Sequence, residues 1–120
     1  MERVRSRSMR LVSGLVAVSG VLRTIAIDLH RLSQDIRLMF SGSATDFNEI
    51  RLGIGLAGSS IMPGKVNPVT QEAVQMAVSH LIGFDASLTS AGLLGELELS
   101  MSIPLAGWTL IREVDLLSEA

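Results

Sequence analysis

The chain has 120 residues, 48% apolar, 18% charged and 3% aromatic, which is enough for one domain and too apolar for intrinsic disorder. Ten Lys and Arg against twelve Asp and Glu give a net charge of −2, without the basic footprint that nucleic-acid binding requires. The absence of cysteine excludes disulfides and thiolate metal or redox sites, and a mean hydropathy of +0.44 implies more apolar surface than a monomer can cover.

Arg3, Arg5, Arg7 and Arg10 precede the apolar run Leu11 to Leu22, in which Ala17-Val18-Ser19 is a small-x-small tripeptide, the layout of a secretory signal. The apolar spacing continues past any cleavage point, however, and the run is shorter than the roughly 20 residues that cross a bilayer. A cytoplasmic chain without a membrane span is expected.

Leu11, Leu15, Val18, Leu22, Ile25, Leu29, Leu32, Ile36 and Met39 alternate steps of four and three, a heptad spacing that predicts one long helix over about residues 5–40. Such a helix is about 54 Å long at 1.5 Å per residue, whereas a compact globule of this length is about 30 to 35 Å across. It therefore belongs in a larger bundle than the chain can build alone. Gly14 and Gly20 each cost about 1 kcal/mol relative to Ala, and are expected to let a neighbouring helix approach closely.

Residues 41–67 carry no helical signal and read as a loop. Within it, Gly53-Ile54-Gly55-Leu56-Ala57-Gly58 spells G-x-G-x-x-G, but no strand precedes it as a dinucleotide fingerprint requires. Gly58 to Lys65 has five residues between its glycines instead of the four of a phosphate-binding loop, and Val66 stands where Ser or Thr would hold magnesium.

Asn67 and Pro68 read as an N-cap followed by proline at the first helical position, opening a helix over about residues 68–91. Asp85 is its only formal charge between Ala73 and Gly95, so burial on most sides is expected. A third helix is predicted over about residues 97–119, with Pro104 starting or kinking it. The architecture is all-α, a bundle of long helices. His30 and His80 lack the paired spacing of metal ligands, and no metal site is expected; His30 is read as solvent-facing and His80 as hydrogen-bonded in the bundle.

Between Ile50 and Gln71 the only charged side chains are Arg51 and Lys65, so an acid-free loop ends at the positive pole of a helix. Lys65 and Asn67, two residues apart, together with Ser59 and Ser60 on a glycine-bearing turn, could hold a small carboxylate beside a hydroxyl. The same residues also read as a glycine-serine connector whose lysine is merely solvated.

The eleven residues from Gly58 to Pro68 (Gly-Ser-Ser-Ile-Met-Pro-Gly-Lys-Val-Asn-Pro) closely resemble the signature loop of the fumarase/aspartase superfamily, lyases that form fumarate from a dicarboxylic acid. The likeness extends to Ser41-Gly42, Asn48-Glu49-Ile50, Gly95-Glu96-Leu97-Glu98-Leu99 and Pro104. It implies a homotetramer built around a bundle of long helices, a small dicarboxylate substrate (aspartate, malate or fumarate), and no metal or organic cofactor. By resemblance Ser59 is the general base, Lys65 and Asn67 bind the substrate carboxylate, and Ser60 and Met62 shape the loop around it. Glu72 matches the glutamate that in fumarases pairs with a histidine from another segment; as an early-helix acid it also suits the macrodipole.

The family's active site combines three separated sequence regions from three subunits, and only the third is recognisable here, so the chain resembles a central helical portion and is expected to be inactive alone. Gly42 is followed by Ser43-Ala44-Thr45-Asp46-Phe47 where proline and arginine are usual, and Ser100 stands where asparagine is usual. Asn48-Glu49-Ile50 is similar to aspartases and Thr70-Gln71-Glu72-Ala73 to fumarases; the reading leans slightly to ammonia as the leaving group, with fumarate hydration the alternative. A non-catalytic helical assembly module is a further alternative.

Overall fold

The computed structural model describes residues 11–41, 49–50, 61–62, 67–97 and 99–120. These residues form three helices, α1 (Ser13–Phe40), α2 (Val69–Ala91) and α3 (Ile103–Glu119), and no strand beyond one isolated bridge between Glu96 and Leu99. Residue pairs across the interfaces fix the directions. Ser33 meets Gln71 while Ser19 meets Asp85, so α2 runs antiparallel to α1. Ala106 packs with Leu15 and Val16, whereas Leu116 and Leu117 pack beside Ala26, so α3 returns parallel to α1.

The all-α expectation is met, and the helix bounds show which local forces won. α1 is described from Ser13, and residues 1–10, where the predicted helix began, lie outside the described residues. At the start of α2 the expected cap is displaced by one residue: Pro68 (φ −77°, ψ 62°) occupies the N-cap position. Its carbonyl accepts from the Glu72 amide at 3.1 Å, and the Val69 amide turns back to the Asn67 carbonyl at 2.8 Å. The ψ of Pro68 keeps it out of the helix, so Asn67 does not cap it. α3 begins at Ile103 rather than near residue 97, because Gly95 and Leu97 both have positive φ, 158° and 49°, which a right-handed helix cannot contain. Pro104 lies in the first turn of α3, where its missing N–H costs nothing.

Two apolar clusters hold the helices together. One joins Ala26, Val78 and Leu81 with Val74, Leu116 and Leu117; the other joins Leu88, Ala91 and Ala106 with Leu15, Val16 and Leu110. Small residues set the helix separation in both. Gly92 contributes too, since a Cβ there would lie 3.1 Å from the Thr89 carbonyl and 3.3 Å from Val16 Cγ2. Within the single chain Gly14 and Gly20 admit no close neighbour: among the described residues a Cβ at Gly14 would meet nothing within 4 Å, and one at Gly20 the Arg23 side chain at 3.6 Å.

The seam that α1 buries within the chain is Val12, Ser19, Ala26 and Ser33, a heptad spacing of mostly small or polar residues. The larger stripe Leu11, Val18, Ile25 and Leu32 lies about 100° away around the helix and remains exposed. The structure measures 67 × 26 × 18 Å with a radius of gyration of 20.2 Å, against about 14 Å for a compact domain of this length. No helix among the described residues is long and apolar enough to cross a membrane.

Candidate functional site

Of the six residues assigned by resemblance, Ser59, Ser60 and Lys65 lie outside the described residues. Met62, Asn67 and Glu72 are described. Met62 is about half exposed, Asn67 is half-buried just before α2, and Glu72 is half-buried in the first turn of that helix. The start of α2 is pinned to α1 by the Ser33 hydroxyl, which donates to the Gln71 carbonyl at 2.8 Å. That bond sets Glu72 opposite Arg37 of the last turn of α1, with Arg37 Nε 3.8 Å from Glu72 Oε1.

An open cleft of about 410 Å³ lies beside Arg37, lined among the described residues by Gln34, Arg37, Leu38 and Ser41. On the neighbouring turns of α2, Gln71 Oε1 and Gln75 Nε2 are buried and have no hydrogen-bond partner among the described residues. This end of the bundle therefore gathers a cation, a carboxylate, a buried amide oxygen and a buried amide nitrogen beside a helical N-terminus, which favours negative charge. Arg37 escaped the sequence reading because it was counted only as part of a long helix; its position in the last turn of that helix, opposite an early-helix acid of the next, was the usable signal.

The sequence reading also missed a buried polar layer between the two apolar clusters. Ser19 and Arg23 of α1, Asp85 of α2 and Glu113 of α3 meet there: Ser19 Oγ lies 2.8 Å from Asp85 Oδ1 and 2.7 Å from Glu113 Oε1, and Arg23 pairs with the other Asp85 oxygen. Asp85, the one formal charge between Ala73 and Gly95, was the available clue, because a buried carboxylate demands a cation or a donor. His80 is not a hydrogen-bonded core histidine. It is exposed and stacks on Phe84 at 4.6 Å, and Phe84 in turn meets Trp108 edge-on at 5.9 Å.

Comparison with known proteins bears on all of this. Residues 3–83 match the family model described as Lyase. The chain is 53% identical over 118 residues to a fumarate hydratase class II from Saccharolobus solfataricus, covering 97% of the chain and 27% of that protein. It is 46% identical over 105 residues to a fumarate hydratase class II from Mycobacterium tuberculosis, covering 88% and 22%. In solved structures it superposes on a recombinant class II fumarase from Schistosoma mansoni with a TM-score of 0.90 and 34% identity, over 94% of this chain and 24% of that one. The fumarate lyase:delta crystallin from Brucella melitensis gives a TM-score of 0.86 and 38% identity, over 94% and 26%. The chain thus spans about a quarter of the length of these relatives. The lean toward an aspartate ammonia-lyase finds no support in these names, which on the sequence side are fumarate hydratases. With the loop motif, the helical order and these relatives in agreement, the chain belongs to the fumarase/aspartase superfamily of lyases.

Proposed function

We propose that this chain supplies one segment of the active site of a lyase that interconverts malate and fumarate, with water as the leaving group. The 53% identity over 97% of the chain to a fumarate hydratase class II carries the reading, because that span takes in the whole run from Gly58 to Pro68. Ser59 removes a proton from the carbon next to a substrate carboxylate, and the electron pair of the broken C–H bond spreads into that carboxylate. Lys65 and Asn67 hold it and balance the added charge, which is the largest electrostatic demand of the reaction. Hydroxide then leaves the adjacent carbon, taking up a proton as it goes, and fumarate remains. Serine is a weak base, so the loop amides and the Lys65 charge must stabilise its oxyanion. Ser60 and Met62 shape the loop over the substrate, and Glu72 orients a histidine supplied from another segment.

Two further elements belong to the same proposal: a homo-oligomer that covers the exposed α1 stripe, and a cytoplasmic location. The test follows fumarate absorbance when L-malate or L-aspartate is given to the chain, alone and with the complementary segments of a fumarate hydratase class II. Turnover of malate by the combined assembly, abolished by Ser59→Ala without dissociation, is expected. Turnover of aspartate alone would move the leaving group back to ammonia, and turnover unchanged by Ser59→Ala would remove Ser59 as the base.

A further inference from the structure

The polar layer between the two apolar clusters contains more acceptors than its visible protons can serve. Ser19 has one hydroxyl hydrogen, yet its oxygen lies within hydrogen-bond distance of two carboxyl groups, Asp85 at 2.8 Å and Glu113 at 2.7 Å. A hydroxyl donates once and accepts twice. Two such contacts therefore require a second proton on one of the carboxyls.

The choice between them follows from their surroundings. Asp85 has a cation against its other oxygen, the Arg23 guanidinium, so it is the group stabilised as an anion. Glu113 has no ion-pair partner among the described residues. It is fully buried, and its second oxygen, Oε2, has no hydrogen-bond partner among the described residues, a costly state for half of a carboxylate and a cheaper one for the carbonyl of a neutral acid. Among the described residues, the groups that act on it are Ser19 and Arg23 from α1 and Asp85 from α2, and the buried Thr109 lies one turn earlier on its own helix.

We infer that Glu113 is a neutral carboxylic acid in the folded protein, donating its proton to Ser19, which donates to Asp85, so that one proton clasps all three helices together. The charges then balance as Arg23 against Asp85 alone. Burial, the largest influence, pushes the Glu113 carboxyl above its ordinary value of 4.5, and the Asp85 charge adds to this, while the contact with the Ser19 hydroxyl and the Arg23 charge pull it down. The clasp makes folding sensitive to pH. Because the folded state holds a proton that the unfolded chain releases above about pH 4.5, this acid's contribution to stability is complete below that pH. It declines as pH rises toward the higher folded value, and then levels off.

Infrared spectroscopy of the folded chain, followed upward in pH from the ordinary carboxyl value of 4.5, tests the assignment without any substitution. A protonated-carboxyl carbonyl band that shifts when glutamate is carbon-13 labelled is expected; a band that shifts only with labelled aspartate, or no band, overturns it. Glu113→Gln tests the consequence, because its amide can donate to Ser19 as the neutral acid does. Between the unfolded and folded titration points, the ratio of folding constants, variant over wild type, should rise about tenfold per pH unit, one proton being at stake. Parallel pH profiles for the two proteins overturn the clasp.

Discussion

Arg37 near the end of α1 and Glu72 near the start of α2 face each other, Nε to Oε1 at 3.8 Å, with both side chains roughly half exposed. Each also complements its own helix, a cation in the last turn of α1 and an anion in the first turn of α2. An ion pair this long and this wet contributes at most about 1 kcal/mol. Glu72→Gln should therefore lower the unfolding free energy of the chain, read from denaturant titration, by less than about 1 kcal/mol. A much larger loss of malate turnover in the combined assembly would then mark Glu72 as part of the chemistry; equal small losses in both would leave it a helix-end charge.

The Arg23–Asp85 pair should respond asymmetrically. Asp85 is 5% exposed, whereas the Arg23 side chain is 45% exposed. Arg23→Gln leaves a buried carboxylate with Ser19 as its remaining partner, and should cost about 2 kcal/mol. Asp85→Asn leaves a guanidinium that water can reach and an amide that still accepts from Ser19, and should cost nearer to 1 kcal/mol. Urea unfolding of both variants at pH 7 checks the order, and a costlier Asp85→Asn would mean that the cation, not the carboxylate, is the stranded group.

The helices were legible because their signals are local. Alternating steps of three and four from Leu11 to Met39 require only neighbours along one helix, and Pro104 and the backbone around Gly95 act within a few residues. The packing was less so. An apolar count favours Val18, Ile25 and Leu32, whereas the chain's own seam runs through Ser19, Ala26 and Ser33, residues whose smallness matters only against a particular partner. Likewise Asp85 announces a buried charge, but Ser19 and Glu113, 94 positions apart, meet only once three helices are packed. The run from Gly58 to Pro68 is singled out by its motif, a chemical signal, and lies mostly outside the described residues; Pro68 takes the place of the predicted cap for a backbone reason that composition does not carry.

Leu88 and Ile25 separate the two kinds of apolar surface. Leu88 is fully buried against Ala91 and Ala106 inside the chain, so Leu88→Ala should cost about 2–5 kcal/mol whatever the state of association. Ile25 is 45% exposed in the single chain and sits in the uncovered stripe with Val18 and Leu32. If a second copy covers that stripe, a charge at its centre is buried without a partner on association, which costs far more than leaving it in water. Ile25→Lys should then lower the mass seen by light scattering and remove the concentration dependence of Tm, while helicity by circular dichroism is retained. A wild-type mass equal to one chain, with a cooperative melt independent of concentration, would show instead that the apolar stripe of α1 is tolerated in water.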